Sequence, residues 1–279
     1  MLVASTFALL SLIVPPVSIV SSATVALVTL RRGAADGLSV LGSSSIAAGL
    51  LGYFLIGNYQ FALLYVMVLW MPVWLISIVL REGRHLSLAV EITILLGIIG
   101  IAIFYLFNQQ PFLMWKQVLV QMIPADTAVD NVQHTIDLLA QYMTGIVAAG
   151  SVFGLLFGLF LGRWWQAILF NPGGFRQEFL SLTTKPRMVF GSLAVAGFAW
   201  AGSGVLAEAA RNITILLFVL YMFIGTAVLH SVFARMKQGR FMTPMFYVTL
   251  FLIPHTMLPV AFVGLIDPWL DLRNKINSN

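Results

Sequence analysis

Long apolar runs separated by short polar breaks dominate the chain. Most of these runs reach the ~20 residues that an α-helix needs to cross a hydrocarbon layer. Pro15-Pro16 stands at the middle of the first run and predicts a kink or two half-helices, because proline lacks an amide donor. Eight spans are predicted, at residues 2–30, 38–57, 61–80, 86–107, 138–162, 187–207, 213–233 and 244–265.

The composition agrees with a membrane protein. Of 279 residues, 60% are hydrophobic and 9% are charged, and the mean hydropathy is +0.96. Soluble domains carry about 25% charged residues, so soluble enzymes, nucleic-acid-binding proteins and disordered chains are excluded. The predicted fold class is all-α, a polytopic transmembrane helix bundle that forms one integral membrane domain over residues 1–279. Because the chain has no cysteine, disulfides, thiolate metal sites and cysteine nucleophiles are excluded.

The basic residues favour one side of the predicted topology. With eight spans, eleven of the 15 Lys and Arg residues fall in alternate loops, and four fall on the opposite side. Cytoplasmic loops carry the excess of Lys and Arg. We therefore predict a multi-pass protein of the bacterial inner membrane with both termini on the outer side. The eleven are Arg31, Arg32, Arg81, Arg84, Arg163, Arg176, Lys185, Arg187, Arg235, Lys237 and Arg240.

The fifth predicted span carries a glycine every fourth residue. This spacing places the glycines on one helical face, where another backbone can approach closely. Two interpretations are open: packing inside the bundle, or a surface on which a moving helix or a partner docks. The helix-packing candidates are Gly150, Gly154, Gly158 and Gly162.

Few ionisable groups lie within the predicted spans, and such groups usually face a bundle interior or a cavity. His255 lies between two prolines of the eighth span, and Glu91 lies one turn into the fourth. Broken helices are tolerated where they line a cavity, so we predict one polar pocket between the broken first and eighth spans. An interhelical hydrogen bond is the alternative for His255, and snorkelling to the interface is the alternative for Glu91. The ligand-pocket candidates are His255, Glu91, Ser18, Ser21 and Ser22.

Two loops have patterns of their own. Residues 125–138 are predicted to form an amphipathic helix on the outer surface, with acidic residues and His134 on one face. Residues 163–186 form a predicted cytoplasmic loop rich in aromatic residues, with the composition of a binding hot spot. An interfacial re-entrant turn is the alternative for this loop. Its partner-docking candidates are Trp164, Trp165, Phe175 and Arg176.

No sequence motif points to catalysis. The chain has no Walker A sequence and no HExxH. A serine between glycines, as at Gly202-Ser203-Gly204, normally serves helix packing. We therefore expect a protein that is not an enzyme and has no cofactor and no catalytic metal.

Three segments resemble a known family. They are Gly162-Arg163-Trp164-Trp165-Gln166, the NPGGFR segment at residues 171–176, and Gly264-Leu265-Ile266-Asp267. They look like the proteobacterial members of the YybS-like family, an uncharacterised group of bacterial inner-membrane proteins. That family is distantly similar to substrate-binding subunits of energy-coupling-factor transporters and to the membrane scaffold MreD. The resemblance implies a helical bundle that binds a small molecule or a protein partner.

Two functions follow as expectations. The first is a small-molecule capture or transport subunit, which resembles the energy-coupling-factor substrate-binding components. Those subunits usually have six spans and an AxxxA motif in the first helix, a spacing that Ala4 and Ala8 match. The alternative is a membrane scaffold of MreD type that recruits a membrane or cytoplasmic protein through the aromatic loop. The expected partners are the lipid bilayer, such a protein and an unidentified small molecule, with no nucleic acid.

Overall fold

The computed structural model describes residues 2–10, 17–108, 110–123, 129–236 and 239–275. Within these ranges the regular structure is helical and no strand occurs. This confirms the predicted all-α polytopic helix bundle. The helices are α1 (Leu2–Leu10), α2 (Ser18–Arg32), α3 (Ala34–Ile56), α4 (Gln60–Tyr65), α5 (Met71–Gly83), α6 (Leu86–Phe107), α7 (Pro111–Gln121), α8 (Val129–Phe170), α9 (Gly174–Leu180), α10 (Pro186–Ala201), α11 (Gly204–Phe233), α12 (Gly239–Leu252), α13 (Met257–Leu270) and α14 (Leu272–Lys275).

The described ranges contain fewer candidate membrane spans than the eight predicted. In the described ranges, five segments are long and apolar enough to span: Ala34–Phe54, Ala62–Gly83, Leu86–Phe107, Val132–Phe170 and Gly204–Phe233. A sixth is the bent pair of α12 and α13, if the pair is one span. The sixth predicted span is α10, whose 16 residues are shorter than a full crossing.

The first predicted span is two helices, α1 and α2, and Pro15-Pro16 lies outside the described residues. The two helices pack together, and the buried Ser21 hydroxyl donates to the carbonyl of Ala4 at 2.7 Å. Ser21 also accepts a hydrogen bond of 3.0 Å from the indole of Trp70. Trp70 ends a π-helical turn, Val66–Trp70, that joins α4 to α5. The turn directly precedes the first residues of α5, where Pro72 cannot donate to the preceding turn.

Helices α2 and α8 run parallel and in close contact. A Cβ atom added at Gly158 would lie 2.7 Å from the Cβ of Ser22, and one added at Gly162 would lie 2.8 Å from the Cβ of Ala26. At the other half of the motif, Gly154 has only the side chain of Leu69 within 4 Å, and Gly150 has open space. The glycine face is therefore used for packing at its C-terminal half only.

The eighth predicted span folds back on itself. Helix α12 ends at Leu252 because the residue before Pro254 is driven out of helical geometry, and Ile253 has φ −127° and ψ 80°. A 3₁₀ turn, Pro254–Thr256, follows, and the chain bends by 117° into α13. Helix α13 then runs parallel to α11. Side chains at Gly225 and Gly264 would overlap the backbone of the facing helix, so these two glycines permit the contact.

One end of the bundle, which we name the basic end, collects the loops after α2, α5, α8, α9 and α11. Contacts join these loops: Arg81 donates to the carbonyl of Leu30 at 2.8 Å, and Gln166 donates to the same carbonyl at 3.2 Å. Arg273 donates to the carbonyls of Leu180 and Leu182, and Arg235 donates to the carbonyl of Arg273.

The C-terminal segment therefore lies at the basic end. The prediction that Arg273 lies on the opposite side from Arg235 is wrong, because α13 returns to the end from which α12 starts. Among the described basic side chains, those of Lys116 and Arg211 lie at the opposite end.

Both predicted loop elements differ from the structure. From Val129 onward the predicted surface helix at 125–138 is the start of α8, while Asp126 lies outside the described residues. The preceding segment forms α7, which packs on α8 through Lys116 and Asp137, whose side chains are 2.7 Å apart. At the other end, α8 continues through the predicted aromatic loop as far as Phe170, so both tryptophans of that loop are helical.

Candidate functional site

A large cleft lies between α8, α9, α11 and α12 and opens at the basic end. Its volume is about 1130 Å³, which exceeds the 300–1,000 Å³ usual for small-molecule pockets. Helix α12 forms the outer wall, and the Phe246 and Tyr247 rings in its middle contact the His230 ring of α11. The lining side chains include Phe157, Leu161, Trp164, Phe175, Arg176, Phe179, Phe223, His230, Arg240, Tyr247 and Leu250.

The floor of the cleft is a continuous set of aromatic rings. The Phe223 ring of α11 contacts three rings of α8, Phe153, Phe157 and Phe160, at centroid distances of 5.2, 5.7 and 5.6 Å. Phe160 in turn contacts Phe179 of α9 at 5.9 Å. Edge-to-face and tilted ring pairs of this kind are favourable beyond their buried area. The floor is therefore preformed and apolar.

The sequence between α8 and α9 brings the aromatic residues of α9 back onto α8. Pro172 and Gly173 turn the chain, and Gly173 adopts a φ of +87°, which favours glycine. After this turn, Phe175 contacts Phe160 at a centroid distance of 5.8 Å. The NPGGFR segment thus serves to fold α9 over the mouth of the cleft.

His230 of α11 is a polar group beside the aromatic floor. Its ring lies 5.8 Å from that of Phe179 and 5.4 Å from that of Tyr247. Its Nε2 atom is buried and has no hydrogen-bond partner among the described residues. A buried nitrogen without a partner is costly, so this atom can bind a polar group of a ligand.

The arginines around the cleft differ in their pairing. Arg163 is engaged, because its guanidinium binds both carboxylate oxygens of Glu178 and the side-chain oxygen of Gln166. Arg176 and Arg240 line the cleft and are exposed. Neither forms a hydrogen bond or an ion pair with another residue in the part of the chain that the structure describes.

None of the predicted ligand-pocket serines of α2 lines this cleft, although Ile19 beside Ser18 does. Ser21 is buried and bonded to Ala4 and Trp70. Ser22 is buried against Gly158, and its hydroxyl has no partner among the described residues. Ser18 begins α2 and is partly buried.

The other two pocket candidates lie elsewhere again. Glu91 accepts a hydrogen bond of 2.6 Å from the hydroxyl of Thr184, in the segment between α9 and α10. His255 is exposed in the 3₁₀ turn between α12 and α13. The structure thus does not bring His255, Glu91 and the serines into one pocket. Their role in ligand binding stays a prediction.

Three of the four partner-docking candidates line the cleft: Trp164, Phe175 and Arg176. Trp165 does not line it and is partly buried. Sequence reasoning did not select Arg240, His230 or the aromatic floor as part of a binding site. The one local signal in the sequence that indicates this site is the clustering of aromatic residues between Gly162 and Leu182.

Comparison with known proteins agrees with a membrane protein. Residues 177–268, about a third of the chain, match a family model described as predicted membrane protein (DUF2232). This range contains most of α9 and all of α10, α11 and α12, and it ends within α13. Neither a curated protein nor a solved structure matches the chain.

Proposed function

We propose that this chain is a non-enzymatic membrane protein that captures a hydrophobic small molecule in the cleft between α8, α9, α11 and α12. The preformed aromatic floor is the observation that supports this proposal best. A pocket lined mainly by apolar side chains with a few polar groups is typical of small-molecule sites. The role is that of a capture or transport subunit, as the resemblance to energy-coupling-factor substrate-binding subunits implies.

The ligand set in this proposal differs from the one suggested by sequence. The contacting groups are the rings of Phe157 and Phe223, the unpartnered nitrogen of His230, and Arg176 and Arg240 at the mouth. His255 and Glu91 lie outside the cleft, so we expect His255→Ala and Glu91→Ala to leave ligand capture unchanged.

We further propose that the basic end faces the cytoplasm of a bacterial inner membrane. The positive-inside bias supports this orientation, and the fold strengthens it, because the return of α13 adds Arg273 to the basic end. The cleft then opens toward the cytoplasmic side of the membrane.

Native mass spectrometry of the full chain, released gently from its membrane, tests the proposal. We expect a stoichiometric small-molecule adduct on the unmodified protein. Leu250→Trp places a large side chain inside the cleft and should abolish the adduct. Val248→Trp changes the exposed face of the same helix and should preserve it. An adduct that survives equally in both variants, or no adduct on the unmodified protein, would contradict capture in this cleft.

A scaffold role of MreD type is a second candidate, and the exposed apolar end of α8 favours it. Trp164 is 46% exposed, and Leu169 and Phe170 beside it are more exposed still. The Arg31 guanidinium lies 4.0 Å from the centre of the Phe170 ring, which extends this surface to α2. In the same experiment, a stoichiometric protein partner without a small molecule, lost in a Trp164→Ala/Trp165→Ala variant, would support the scaffold.

A further inference from the structure

The cleft has a polar mouth and an apolar depth. Arg176, Arg240 and Gly239 lie at the basic end, where α9 and α12 begin. In the opposite direction the lining consists of Phe153, Met222, Leu250 and Met257. Because α8 and α11 run parallel and α12 starts at the basic end, this change in polarity follows the long axis of the cleft. A ligand that fits it has one charged end and one long apolar part.

The arginines without partners indicate that the charged end of the ligand is negative. Arg163, Arg81 and Arg273 all have acceptors within the protein. Arg176 and Arg240 have none in the described ranges, although both line the cleft. Guanidinium groups bind phosphate through two parallel hydrogen bonds, and such charge-assisted bonds are stronger than neutral ones.

His230 adds a third polar contact near the mouth. It lies one turn before the end of α11, and its buried Nε2 has no partner in the described part of the chain. The imidazole is held by the rings of Phe179, Phe246 and Tyr247. The lining of the cleft therefore includes a third polar group near its mouth.

Building on the proposed capture function, we propose that the occupant of the cleft is an anionic membrane lipid. Its phosphate binds between Arg176 and Arg240, and its hydrocarbon chain lies on the aromatic floor. The outer wall α12 carries exposed apolar side chains at Phe241, Met245 and Phe251, so the cleft lies behind an apolar outer face. The cleft is larger than a usual small-molecule pocket, as a long-chain ligand requires.

Two lipids with identical chains test the headgroup. The full chain is purified, incubated with dioleoyl phosphatidylglycerol or dioleoyl phosphatidylcholine, and examined by native mass spectrometry. Both lipids carry a phosphodiester, but phosphatidylcholine also carries a choline cation, which two arginines repel. We therefore expect phosphatidylglycerol to be retained about tenfold better, which corresponds to about 1.4 kcal/mol. The Arg176→Ala/Arg240→Ala variant should lose this preference for phosphatidylglycerol. The matched Lys185→Ala/Arg187→Ala variant removes the same charge at the same end, outside the cleft, and should keep it.

The outcomes separate this inference from the proposed function. If both lipids are retained equally and Leu250→Trp blocks both, the preference for an anionic headgroup is overturned. The proposed capture of a small molecule in the cleft would then still hold. Equal loss of preference in the two double variants would overturn the role of Arg176 and Arg240. If inorganic phosphate at the same concentration displaces the lipid, the hydrocarbon part of the lipid contributes nothing to binding. This result would overturn the proposal that the occupant is a lipid. Matching elution volumes on size exclusion confirm that the variants are folded.

Discussion

The guanidinium of Arg235, which follows α11, donates a hydrogen bond to the backbone carbonyl of Arg273 on α14. The last apolar run of the chain begins after Arg235 and ends before Arg273. The run therefore starts and finishes at the same end of the molecule. This return directs α12 away from α11, and the cleft lies in the space between α12 and α8.

Arg273 should hold the returning segment in place. Its Nη2 lies 3.4 Å from a carboxylate oxygen of Asp267, and the two side chains are only 12% and 5% exposed. Burial lowers the pKa of the Arg273 guanidinium, while the carboxylate of Asp267 acts in the opposite direction. Removing one partner of a buried pair costs about 3–5 kcal/mol. We therefore expect Arg273→Met to lower the melting temperature of the detergent-solubilised protein markedly.

A double variant distinguishes the charge pair from simple packing. Asp267→Asn/Arg273→Met removes both charges, so it should melt at a higher temperature than Arg273→Met alone. A double variant that is less stable than the single variant would show that the uncompensated carboxylate is not the cause.

The glycine face of α8 should tolerate substitution at one end and not at the other. Gly162→Val places methyl groups against Ala26 and the backbone of α2, so overpacking should cost about 1–3 kcal/mol. Gly150→Val enters open space in the same helix and is the matched control. Thermal unfolding measures both variants. Equal destabilisation would contradict the parallel contact of α2 with α8.

Asn212 joins three helices, α6, α8 and its own α11, and should be sensitive to an apolar replacement. Its side chain accepts from the amide of Gly145 at 2.6 Å, and it donates to the hydroxyl of Tyr105 and to the carbonyls of Gln141 and Glu208. Asn212→Leu removes these hydrogen bonds between the helices, and we expect a cost of about 1–3 kcal/mol in the free energy of unfolding. Gln141→Leu retains the carbonyl and changes only an exposed side chain, so its melting temperature should stay near that of the unmodified protein. If both variants lower the melting temperature to a similar extent, the hydrogen bonds of the Asn212 side chain do not stabilise the fold.

The apolar runs and their boundaries could largely be predicted. The fourth span was predicted at 86–107, and α6 covers Leu86–Phe107. Polar residues flank this run on both sides, so its limits are set by local composition. The glycine spacing likewise marks a close contact, but only the neighbour determines which glycines take part. Gly158 faces α2, whereas a Cβ added at Gly150 would meet no atom of the described residues within 4 Å.

The return of the eighth span could not be predicted in the same way. Pro254 marks a break, but a proline does not set the angle of the chain beyond it. That angle depends on the contact of Gly264 with α11, some 40 residues earlier in the sequence. The site depends on the same contact, because Arg176 and Arg240 line one cleft only when α12 starts beside α9. Similarly, Ser21 is a polar residue of an apolar helix, and its sequence does not reveal that Trp70 is its partner.

Cysteine labelling tests the return of α13, on which the cleft depends, most directly. The chain has no cysteine, so single cysteines can be introduced at Asn274 on α14, at Arg187 at the basic end, and at Tyr59 at the opposite end. A membrane-impermeant maleimide is then applied to intact cells and to inverted vesicles. We predict that position 274 labels from the same side as position 187 and from the opposite side to position 59. Labelling of position 274 together with position 59 would mean that the last run crosses the membrane, which would contradict the returning hairpin and the cleft that it forms.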